Sequence, residues 1–430
     1  MRQRPGKQNN EHDIDNVIET GGSQESVRYN RELKKARNKM ILTITLVVAG
    51  ILVVAAGVLF VMFELRDFRG YKVLTTTPTD YDSSAKYVQF ADNLLRFNNE
   101  GASYINATGQ TVWTAGSDMV LPIAETCQDY AVVADKGGNL IDIYNIDGLV
   151  NSQNMPYEIC DVDVSKTGAY VAVLQNGNSN LISMYSSLGD QIYEIKTSIE
   201  NSGYPMDIAI SDDGQKLFTS YLYLVDLSAK INLTAYNFGD VGQNENADRM
   251  VGGYTFEDQM ISKVDFVTND IIAAFGSEEI VIYSMKEKPS EKAHIKYDDK
   301  IRSVFTMEGY VGTIQDGDIT DTQSTSTDAD SEEESLYLMK VYDYNGNKKF
   351  EYRFNFEYDN IIASNGEIII IGGKTCHILT SRGKLKFAYT FGDTIKDMVP
   401  AAQKNTYVVT YEDRIDNIKL TKSEKKDEKN

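Results

Sequence analysis

The 430-residue sequence is poor in the residue types that build many functional centres. It contains only three cysteines, three histidines, one tryptophan and seven prolines. Three cysteines are too few for a disulfide scaffold, and three histidines leave little material for a histidine-based metal or catalytic centre. Lysine and arginine number 43 against 63 aspartates and glutamates, a formal net charge of −20. This shortage of positive charge argues against nucleic-acid binding.

Motifs of the common enzyme classes are also missing. The sequence has no G-x-S-x-G elbow, no P-loop, no dinucleotide-binding glycine pattern and no H-E-x-x-H pair. We expect Cys127, Cys160 and Cys376 to be buried free thiols, with a single disulfide between two of them as the alternative. Cys376 and His377 would point to opposite faces of a strand, and His294 is expected on the surface. We therefore expect no catalytic, cofactor-binding or metal-binding residue, and no cofactor.

A long uncharged segment is the strongest feature that is present. Residues 40–63 read MILTITLVVAGILVVAAGVLFVMF, without a charge. A helix of this length extends about 36 Å, which exceeds the roughly 30 Å hydrocarbon core of a bilayer. The segment begins after 39 residues, and it is longer than the apolar region of a cleaved signal peptide. The sequence therefore predicts one membrane-spanning helix that acts as a signal anchor.

Basic residues on either side of this segment predict its orientation. Five lysines and arginines lie within residues 31–39, whereas the three basic residues that follow the segment are offset by two acids. Positive charge favours the cytoplasmic side of a membrane. We therefore expect a single-pass protein of the cell membrane. Residues 1–39 would form a disordered basic tail in the cytoplasm, and the chain after residue 63 would be extracytoplasmic.

The rest of the chain repeats at intervals of about 40 residues. A strand–turn–strand unit recurs with these turn glycines: Gly109, Gly148, Gly189, Gly346 and Gly383. The long gap between the third and fourth glycines contains degenerate copies near Ala229 and Glu287. It also contains polar insertions near residues 239–258 and 316–335. A period of about 40 with several strands per unit indicates a β-propeller.

We therefore predict an all-β fold over residues 86–421, a β-propeller of about eight four-stranded blades, with seven as the alternative. In the third unit, CDVDVS, AYVAVLQ, LISMYS and QIYEIK fit the four strands. Residues 64–85 are expected to be a linker and 422–430 a charged tail. KYVQF (Lys86–Phe90) fits either the innermost strand of the first blade or the outermost strand of the last. The last unit lacks a fourth strand of its own, which favours the second alternative, ring closure by this N-terminal strand.

The insertion at residues 316–335 has a distinct composition. It carries eight acidic residues and no basic one, so it cannot bury a core and is expected to be a disordered, solvated loop. A weak calcium site is the alternative, because carboxylates at alternate positions suit that ion.

Several segments resemble known propeller repeats. VDVSKTGAYVAVLQ (Val162–Gln175) and IAISDDGQKLFTS (Ile208–Ser220) resemble the first hairpin of WD-repeat and related bacterial propellers. GQTVWTAG (Gly109–Gly116) resembles the end of a quinoprotein-type blade. The whole layout, with DYAVVADKGGNLIDIYNIDG (Asp129–Gly148), resembles an uncharacterised family of single-pass, membrane-anchored propeller proteins of Gram-positive anaerobes. That resemblance implies a fold and a location but no chemistry.

These features favour a membrane-tethered extracytoplasmic propeller that acts as a non-enzymatic binding or scaffolding module of the cell envelope. Its partner would be a protein or a glycan and not a nucleic acid. The first alternative is a hydrolase or lyase acting on glycans, which requires two or more acidic residues converging at the channel mouth. The second alternative is a transmembrane sensor, in which the cytoplasmic tail reads ligand binding outside the cell.

Overall fold

The computed structural model describes residues 22–64, 68–80, 82, 84–200, 202–225, 228–245, 248–257, 259–317 and 336–422. These residues belong to two compact units, residues 1–66 and residues 67–430. The first unit contributes one long helix, and the second contains all of the strands.

Helix α1 spans Gly22–Glu64 and includes a candidate membrane span at Arg37–Ala55, by length and composition. The helix is therefore a candidate membrane anchor. Residues 22–39 were predicted to belong to a disordered tail, but they are helical, so the helix begins earlier than expected. This stretch contains no proline and is rich in glutamate, lysine and arginine, which favour helices. The predicted disorder of residues 1–21 lies outside the described residues.

The second unit is a β-propeller of eight four-stranded antiparallel blades, as predicted. The first blade comprises β2 (Lys86–Phe90), β3 (Asn93–Asn98), β4 (Gly101–Ile105) and β5 (Thr111–Gly116). The second comprises β6 (Pro122–Cys127), β7 (Tyr130–Asp135), β8 (Leu140–Asn145) and β9 (Gly148–Asn154). The third comprises β10 (Glu158–Val164), β11 (Tyr170–Asn176), β12 (Ser179–Tyr185) and β13 (Gln191–Ser198), which matches the four strands expected for it.

The next blades continue the same meander with longer connections. The fourth comprises β14 (Tyr204–Ile210), β15 (Lys216–Val225), β16 (Ser228–Asn237) and β17 (Met250–Phe256), with helix α2 (Asp240–Glu245) between the last two. The fifth comprises β18 (Ile261–Thr268), β19 (Ile271–Gly276), β20 (Glu279–Ser284) and β21 (Ser290–Lys296). The sixth comprises β22 (Ile301–Met307), β23 (Tyr310–Asp316), β24 (Tyr337–Asp343) and β25 (Lys348–Phe354).

The last two blades complete the ring. The seventh comprises β26 (Asn360–Ser364), β27 (Glu367–Gly372), β28 (Thr375–Thr380) and β29 (Leu385–Thr390). The eighth comprises β30 (Asp397–Pro400), β31 (Thr406–Thr410), β32 (Arg414–Thr421) and, as its outermost strand, β1 (Gly70–Pro78). The first strands of neighbouring blades contact one another around the central channel. We call the face where these inner strands begin the upper face, and the face where they end the lower face.

Strand β1 closes the ring by pairing with β32 from Gly70 opposite Thr421 to Pro78 opposite Arg414. The predicted closure by KYVQF is therefore wrong, because KYVQF forms β2, the innermost strand of the first blade, and a strand that precedes it in the chain closes the ring. The closing strand lies within residues 64–85, which were expected to be a linker. Tyr71 and Val73 of β1 pack against the apolar core shared by the seventh and eighth blades, which accounts for its position.

Two assignments in the fourth blade also differ from expectation. Ala229 lies in the β15–β16 hairpin and not in the turn before an outer strand. Residues 250–256, predicted to be part of a polar insertion, form the outer strand β17. Val251 is buried in this strand, and the ring of Tyr254 lies 4.6 Å from that of Tyr283 in the next blade. The two glycines of MVGGYTF weaken its apolar pattern in the sequence.

Apolar side chains fill the space between blades. Each described core cluster joins neighbouring blades, as where Val132 and Ile143 of the second blade meet Val162 and Tyr170 of the third. Trp113 of the first blade stacks on Tyr144 of the second, with ring centroids 5.2 Å apart. A twisted four-stranded sheet has two apolar faces, and radial stacking buries both of them.

The repeating turn glycine has a structural cause that can be tested at Gly383. Its φ is +79°, and a Cβ atom there would lie 2.2 Å from Cγ of Phe350 in the preceding blade. Glycine is therefore needed both for the backbone conformation and for the close approach. At Gly309, where φ is +81°, a Cβ would meet no atom within 4 Å.

We expect Gly383→Ala to lower the free energy of unfolding by about 3 kcal/mol, and Gly309→Ala by only about 1 kcal/mol. Both variants carry the conformational cost, and only the first also forces Phe350 to move. Urea denaturation of the two variants measures the difference. Equal losses would contradict a role for blade-to-blade contact at the turn.

Candidate functional site

Acidic side chains occupy the inner strands of four consecutive blades. The channel carboxylates, as we call them, are Glu125 of β6, Asp161 and Asp163 of β10, Asp207 of β14 and Asp265 of β18. In β10 the acids alternate with the buried Val162 and Val164. This alternation follows from the strand geometry, because successive side chains point to opposite faces.

Three of the channel carboxylates connect neighbouring blades. A carboxylate oxygen of Asp163 accepts a hydrogen bond from the backbone N–H of Ile210, with an N–O distance of 2.8 Å. Asp207 accepts one from the N–H of Val264 at 2.6 Å. Asp265 accepts one from the hydroxyl of Thr306. These bonds join the third, fourth, fifth and sixth blades in turn, so these three acids have a structural role.

The other two channel carboxylates, Glu125 and Asp161, have no such partner. Asp161 accepts a hydrogen bond only from the N–H of Val162, its neighbour in the chain, at 3.1 Å. Among the described residues, no hydrogen bond or ion pair engages the carboxylate of Glu125. These two acids therefore remain available for a ligand.

Asp161 and Asp207 line one pocket of about 430 Å³ at the upper end of the channel. Glu158, Lys136, Gln175 and Tyr204 also line it. The pocket lies here because β10 and β14 both begin at the upper face and run side by side. It therefore combines three carboxylates with one ammonium group, an amide and a phenol.

The surroundings of the channel carboxylates raise the pKa of all five groups. Desolvation by the surrounding blades, reinforced by repulsion from Asp161, raises the pKa of both Glu125 and Asp207 to about 7, although the Glu125 side chain remains accessible to solvent. Burial also raises the pKa of Asp161, Asp163 and Asp265. The channel carboxylates thus resist simultaneous ionisation, and a positively charged group placed among them would favour the ionised forms.

Lys263 of β18 is a basic residue that faces these acids. Its ammonium group lowers the pKa of Glu125, Asp207 and Asp265, against the stronger effect of burial. Lys136 acts in the same way on the pKa of Asp161, and two lysines against five carboxylates leave an excess of negative charge. The inner strands β2, β22 and β26 contain no acidic residue, and β30 contains only the buried Asp397. The channel is therefore acidic along one side.

A larger groove of about 790 Å³ lies between the fourth, fifth and sixth blades, and two of the five acids that line it are already paired with lysines. A Glu257 carboxylate oxygen lies 2.5 Å from the ammonium nitrogen of Lys230, and one of Asp298 lies 2.6 Å from that of Lys340. Because lysines already compensate part of the negative charge of this groove, the channel pocket is the better candidate for a positively charged ligand.

The cysteines that the sequence analysis singled out are all free thiols, as expected. Cys376 is fully buried, whereas Cys127 and Cys160 are only partly buried, since they lie near the ends of the channel-lining strands. Burial raises the pKa of the Cys127 thiol to about 12 and also raises that of Cys160. These thiols are therefore poor nucleophiles at neutral pH.

The histidines also lie where the sequence placed them. His294 is on the exposed outer strand β21, with its Nδ1 atom 3.2 Å from a carboxylate oxygen of Glu279. His377 points away from its buried neighbour Cys376 and forms a hydrogen bond with the hydroxyl of Tyr352 at 2.7 Å. Within the described part of the chain, no group of three His, Cys, Asp or Glu side chains is arranged to hold a metal ion.

The acidic insertion at residues 316–335 lies almost entirely outside the described residues. Asp316 at its start is described and accepts a hydrogen bond from Nε of Arg302 at 2.6 Å. Because β23 ends and β24 begins at the upper face, the insertion departs from the same face as the channel pocket. Calcium binding by this segment stays a prediction.

The channel carboxylates were not singled out in the sequence, although a signal for them exists. Each follows or precedes apolar residues in the first strand of a unit, as in CDVDV, PMDIAI and KVDFV. An acid inside an otherwise buried inner strand is costly unless it faces a solvated channel or a hydrogen-bond donor. The pattern could therefore have indicated the lining of the channel, once the first strand of each unit was known.

Of three similar solved structures, the one with a TM-score of 0.50 supports the fold. The crystal structure of BamB from Moraxella catarrhalis is similar, with 11% sequence identity, a TM-score of 0.50, and coverage of 81% of this chain and 100% of that one. Sqt1 of Chaetomium thermophilum, solved with the N-terminus of ribosomal protein L10, has 11% identity, a TM-score of 0.49, and coverage of 83% and 100%. Kluyveromyces lactis Hsv2 has 14% identity, a TM-score of 0.44, and coverage of 67% and 89%.

At these identities the likeness concerns the fold alone. A search of curated proteins by sequence found no match. A family model matches residues 64–420, which include all eight blades. The chain therefore belongs to a family of unknown function, DUF5711.

Proposed function

We propose that this protein is a membrane-tethered binding or scaffolding module whose propeller lies outside the cell and receives a positively charged group of an envelope partner in the acidic channel. The observation that carries the proposal is the pair of unpartnered carboxylates, Glu125 and Asp161, beside a pocket in an otherwise rigid ring. Three neighbouring acids are occupied in joining blades, so the site is held in place by the fold.

Helix α1 and the charges around it support the proposed membrane tether. The candidate span at Arg37–Ala55 is apolar enough to cross a bilayer. The concentration of lysine and arginine within residues 31–39 supports a cytoplasmic N-terminus. With that orientation, residues 67–430 are presented outside the cell.

Electrostatics supports a cationic ligand. An amine or guanidinium group in the pocket would pair with Asp161 and lie close to Glu125, relieving the repulsion from Asp161 that adds to burial in raising the pKa of Glu125. Hydrogen bonds between charged groups in such a confined site are stronger than those between neutral groups. A lysine or arginine side chain, or an amino sugar, has the required chemistry.

A glycan-active enzyme is the second candidate, because Asp161 and Asp207 converge in one pocket. Acid–base catalysis of this kind needs one protonated and one ionised carboxyl group, whose environments push their pKa values apart. Here the pKa values of both groups are raised by the same cause, burial. The arrangement therefore favours binding over catalysis.

A membrane-impermeant, amine-reactive crosslinker applied to intact cells tests the proposal. We expect the wild-type protein to be captured with a defined neighbour. The E125Q/D161N variant should reduce that capture at least ~10-fold, because two charge-assisted contacts are lost. The D147N/D190N variant removes the same charge from exposed positions away from the channel and should behave as wild type.

Three results would contradict the proposal. Failure of the crosslinker to label the wild-type protein in intact cells would contradict the orientation. Equal capture by E125Q/D161N and wild type would contradict the channel site. Release of sugars from cell-wall glycan by purified wild-type protein, abolished in the D161N variant, would support the enzyme instead.

A further inference from the structure

Each of the eight outer strands contains a β-bulge at an equivalent place, opposite the last residues of the third strand. The extra, unpaired residues are Leu74, Val112, Val150, Ile192, Val251, Lys292, Lys349 and Lys386. The outer strands are the edges of their sheets, and most of these residues lie on the rim of the propeller. Two of them face inward instead: Val251 is buried, and the ammonium group of Lys386 contacts Glu367 and Tyr407.

The chemistry of the bulged residue divides the rim into two parts. In the fifth and sixth blades it is an exposed lysine, Lys292 and Lys349, which is a common way to protect an edge strand from unwanted pairing. In the eighth, first and third blades it is an exposed aliphatic residue, Leu74, Val112 and Ile192. One part of the rim therefore lacks the protection that the other part has.

Neighbouring side chains enlarge the unprotected part. Ile146 and Leu149 flank the outer turn of the second blade, and Leu188, 70% exposed, lies in the outer turn of the third. The aliphatic arc, as we call it, consists of Leu74, Val112, Ile146, Leu149, Leu188 and Ile192. Outer turns follow the third strand of each blade and hence lie at the lower face, so the arc lies along the lower rim of adjacent blades.

The chain enters the propeller at this same face. Strand β1 begins at Gly70, opposite Thr421 at the lower end of β32. Only five residues, 65–69, separate the end of helix α1 from β1 in the sequence. The chain therefore enters β1 from the lower face of the eighth blade, next to the arc.

We infer that the aliphatic arc rests on the lipid surface, so that the lower rim of the eighth, first, second and third blades contacts the bilayer. This inference rests on the membrane tether of the proposed function. Aliphatic side chains that project singly enter the interfacial region of a bilayer and gain from burial there. The upper face, with the acidic pocket, would then point away from the membrane.

A lipid surface fits the arc better than a protein partner does. Stable protein interfaces use about 20–30 residues on each side, and tyrosine, tryptophan and arginine dominate their energetics. The arc offers six separate aliphatic side chains. Asp147 and Asp190 lie beside them in the outer turns, so zwitterionic lipid is favoured over anionic lipid.

The single tryptophan of the chain reports on this surface. Trp113 follows Val112 in β5, and its Nε1 atom donates a hydrogen bond to the carbonyl oxygen of Ile146 at 3.0 Å. Its intrinsic fluorescence therefore comes from within the arc, and no label is needed.

The test uses the full chain reconstituted into phosphatidylcholine vesicles with or without bromine on the acyl chains, since bromine quenches nearby tryptophan. We expect brominated lipid to lower the Trp113 emission about 2-fold. The L188K/I192K variant changes the arc two blades away from Trp113 and should lose most of this quenching. The V120K/L224K variant places the same charges at the upper face, where these residues are 82% and 73% exposed, and should be quenched as wild type.

Absence of quenching in the wild type, or equal quenching in L188K/I192K, would overturn the inference. Emission that depends on protein density in the vesicles and not on bromine would also overturn it, because a second copy would then cover the arc. Flotation of the vesicles in alkaline carbonate tests the tether separately. A chain that fails to float contradicts the proposed membrane tether, whereas one that floats without quenching contradicts the arc alone.

Discussion

A chain that begins at residue 86 is expected to lose the folded propeller, whereas a chain that begins at residue 67 is expected to keep it. The shorter chain lacks β1, whose backbone pairs with β32 from Gly70 to Pro78. It also lacks the hydrogen bond that the hydroxyl of Thr75 donates to the carbonyl oxygen of Thr108 in the first blade. We expect a loss of more than ~5 kcal/mol, comparable with the whole stability of many domains.

Two causes contribute to this loss. Removal of β1 exposes the edge of β32 and uncovers apolar side chains that Tyr71 and Val73 cover, among them Phe387 and Leu420. It also opens the contact between the first and eighth blades, where Leu94 and Ile105 meet Val408.

Circular dichroism melting curves and size-exclusion chromatography of chains 67–430 and 86–430 measure the effect. The longer chain serves as the control, because it also lacks helix α1 but retains the closing strand. Similar melting temperatures for the two chains would show that the ring does not depend on β1.

The second large effect concerns Asp397 at the start of the eighth blade. Its side chain is only 5% exposed and accepts a hydrogen bond from the N–H of Met398 at 2.8 Å. Burial raises the pKa of this carboxyl group from 3.8 to about 7. Because the folded-state pKa lies above the unfolded one, the native state favours protonation, and stability falls as the pH rises from about 4 to about 7.

We expect the Asp397→Asn variant to have a flatter dependence of stability on pH and to be more stable than wild type at pH 8, by on the order of 3 kcal/mol. Asparagine keeps an acceptor for Met398 but carries no charge to desolvate. The raised pKa of Glu125 and Asp207 acts in the same direction, so a weaker slope should remain.

Urea denaturation at pH 5 and pH 8 measures this dependence. The Asp147→Asn variant controls for the change in net charge, because Asp147 is exposed in an outer turn. Equal stability of the Asp397→Asn variant and the wild type at pH 8 would show that ionised Asp397 is compensated by the surrounding structure.

The number of blades could be predicted from the sequence because the feature that marks each blade, the turn glycine, is a single local position. A positive φ favours glycine at Gly383 and its equivalents, and at Gly383 the close approach of the preceding blade adds to that requirement, so single positions mark the repeat. The strands of the third unit followed for the same reason, from short apolar runs between turns. Where the turn glycine is absent, as in the fourth blade, the assignments at Ala229 and at residues 250–256 were wrong.

The closing strand could not be identified in this way. Nothing within residues 70–78 indicates which edge they pair with, since the partner lies at the other end of the chain. The same limit applies to the channel carboxylates. Glu125 and Asp265 belong to different repeats, and only the closed ring brings them to one channel. The candidate site is therefore formed by residues that are distant in the sequence, and no short sequence pattern identifies it.

The pairing of β1 with β32 has a consequence for how the protein is made. Thr76 and Asp416 form a hydrogen bond across 340 positions of the chain. Strand β1, the first to be synthesised, can therefore pair only after β32 has been synthesised. Contacts of such high sequence separation form late and slowly. During that interval the nascent seventh and eighth blades expose apolar surface, and chaperones are expected to be needed until β32 has been synthesised.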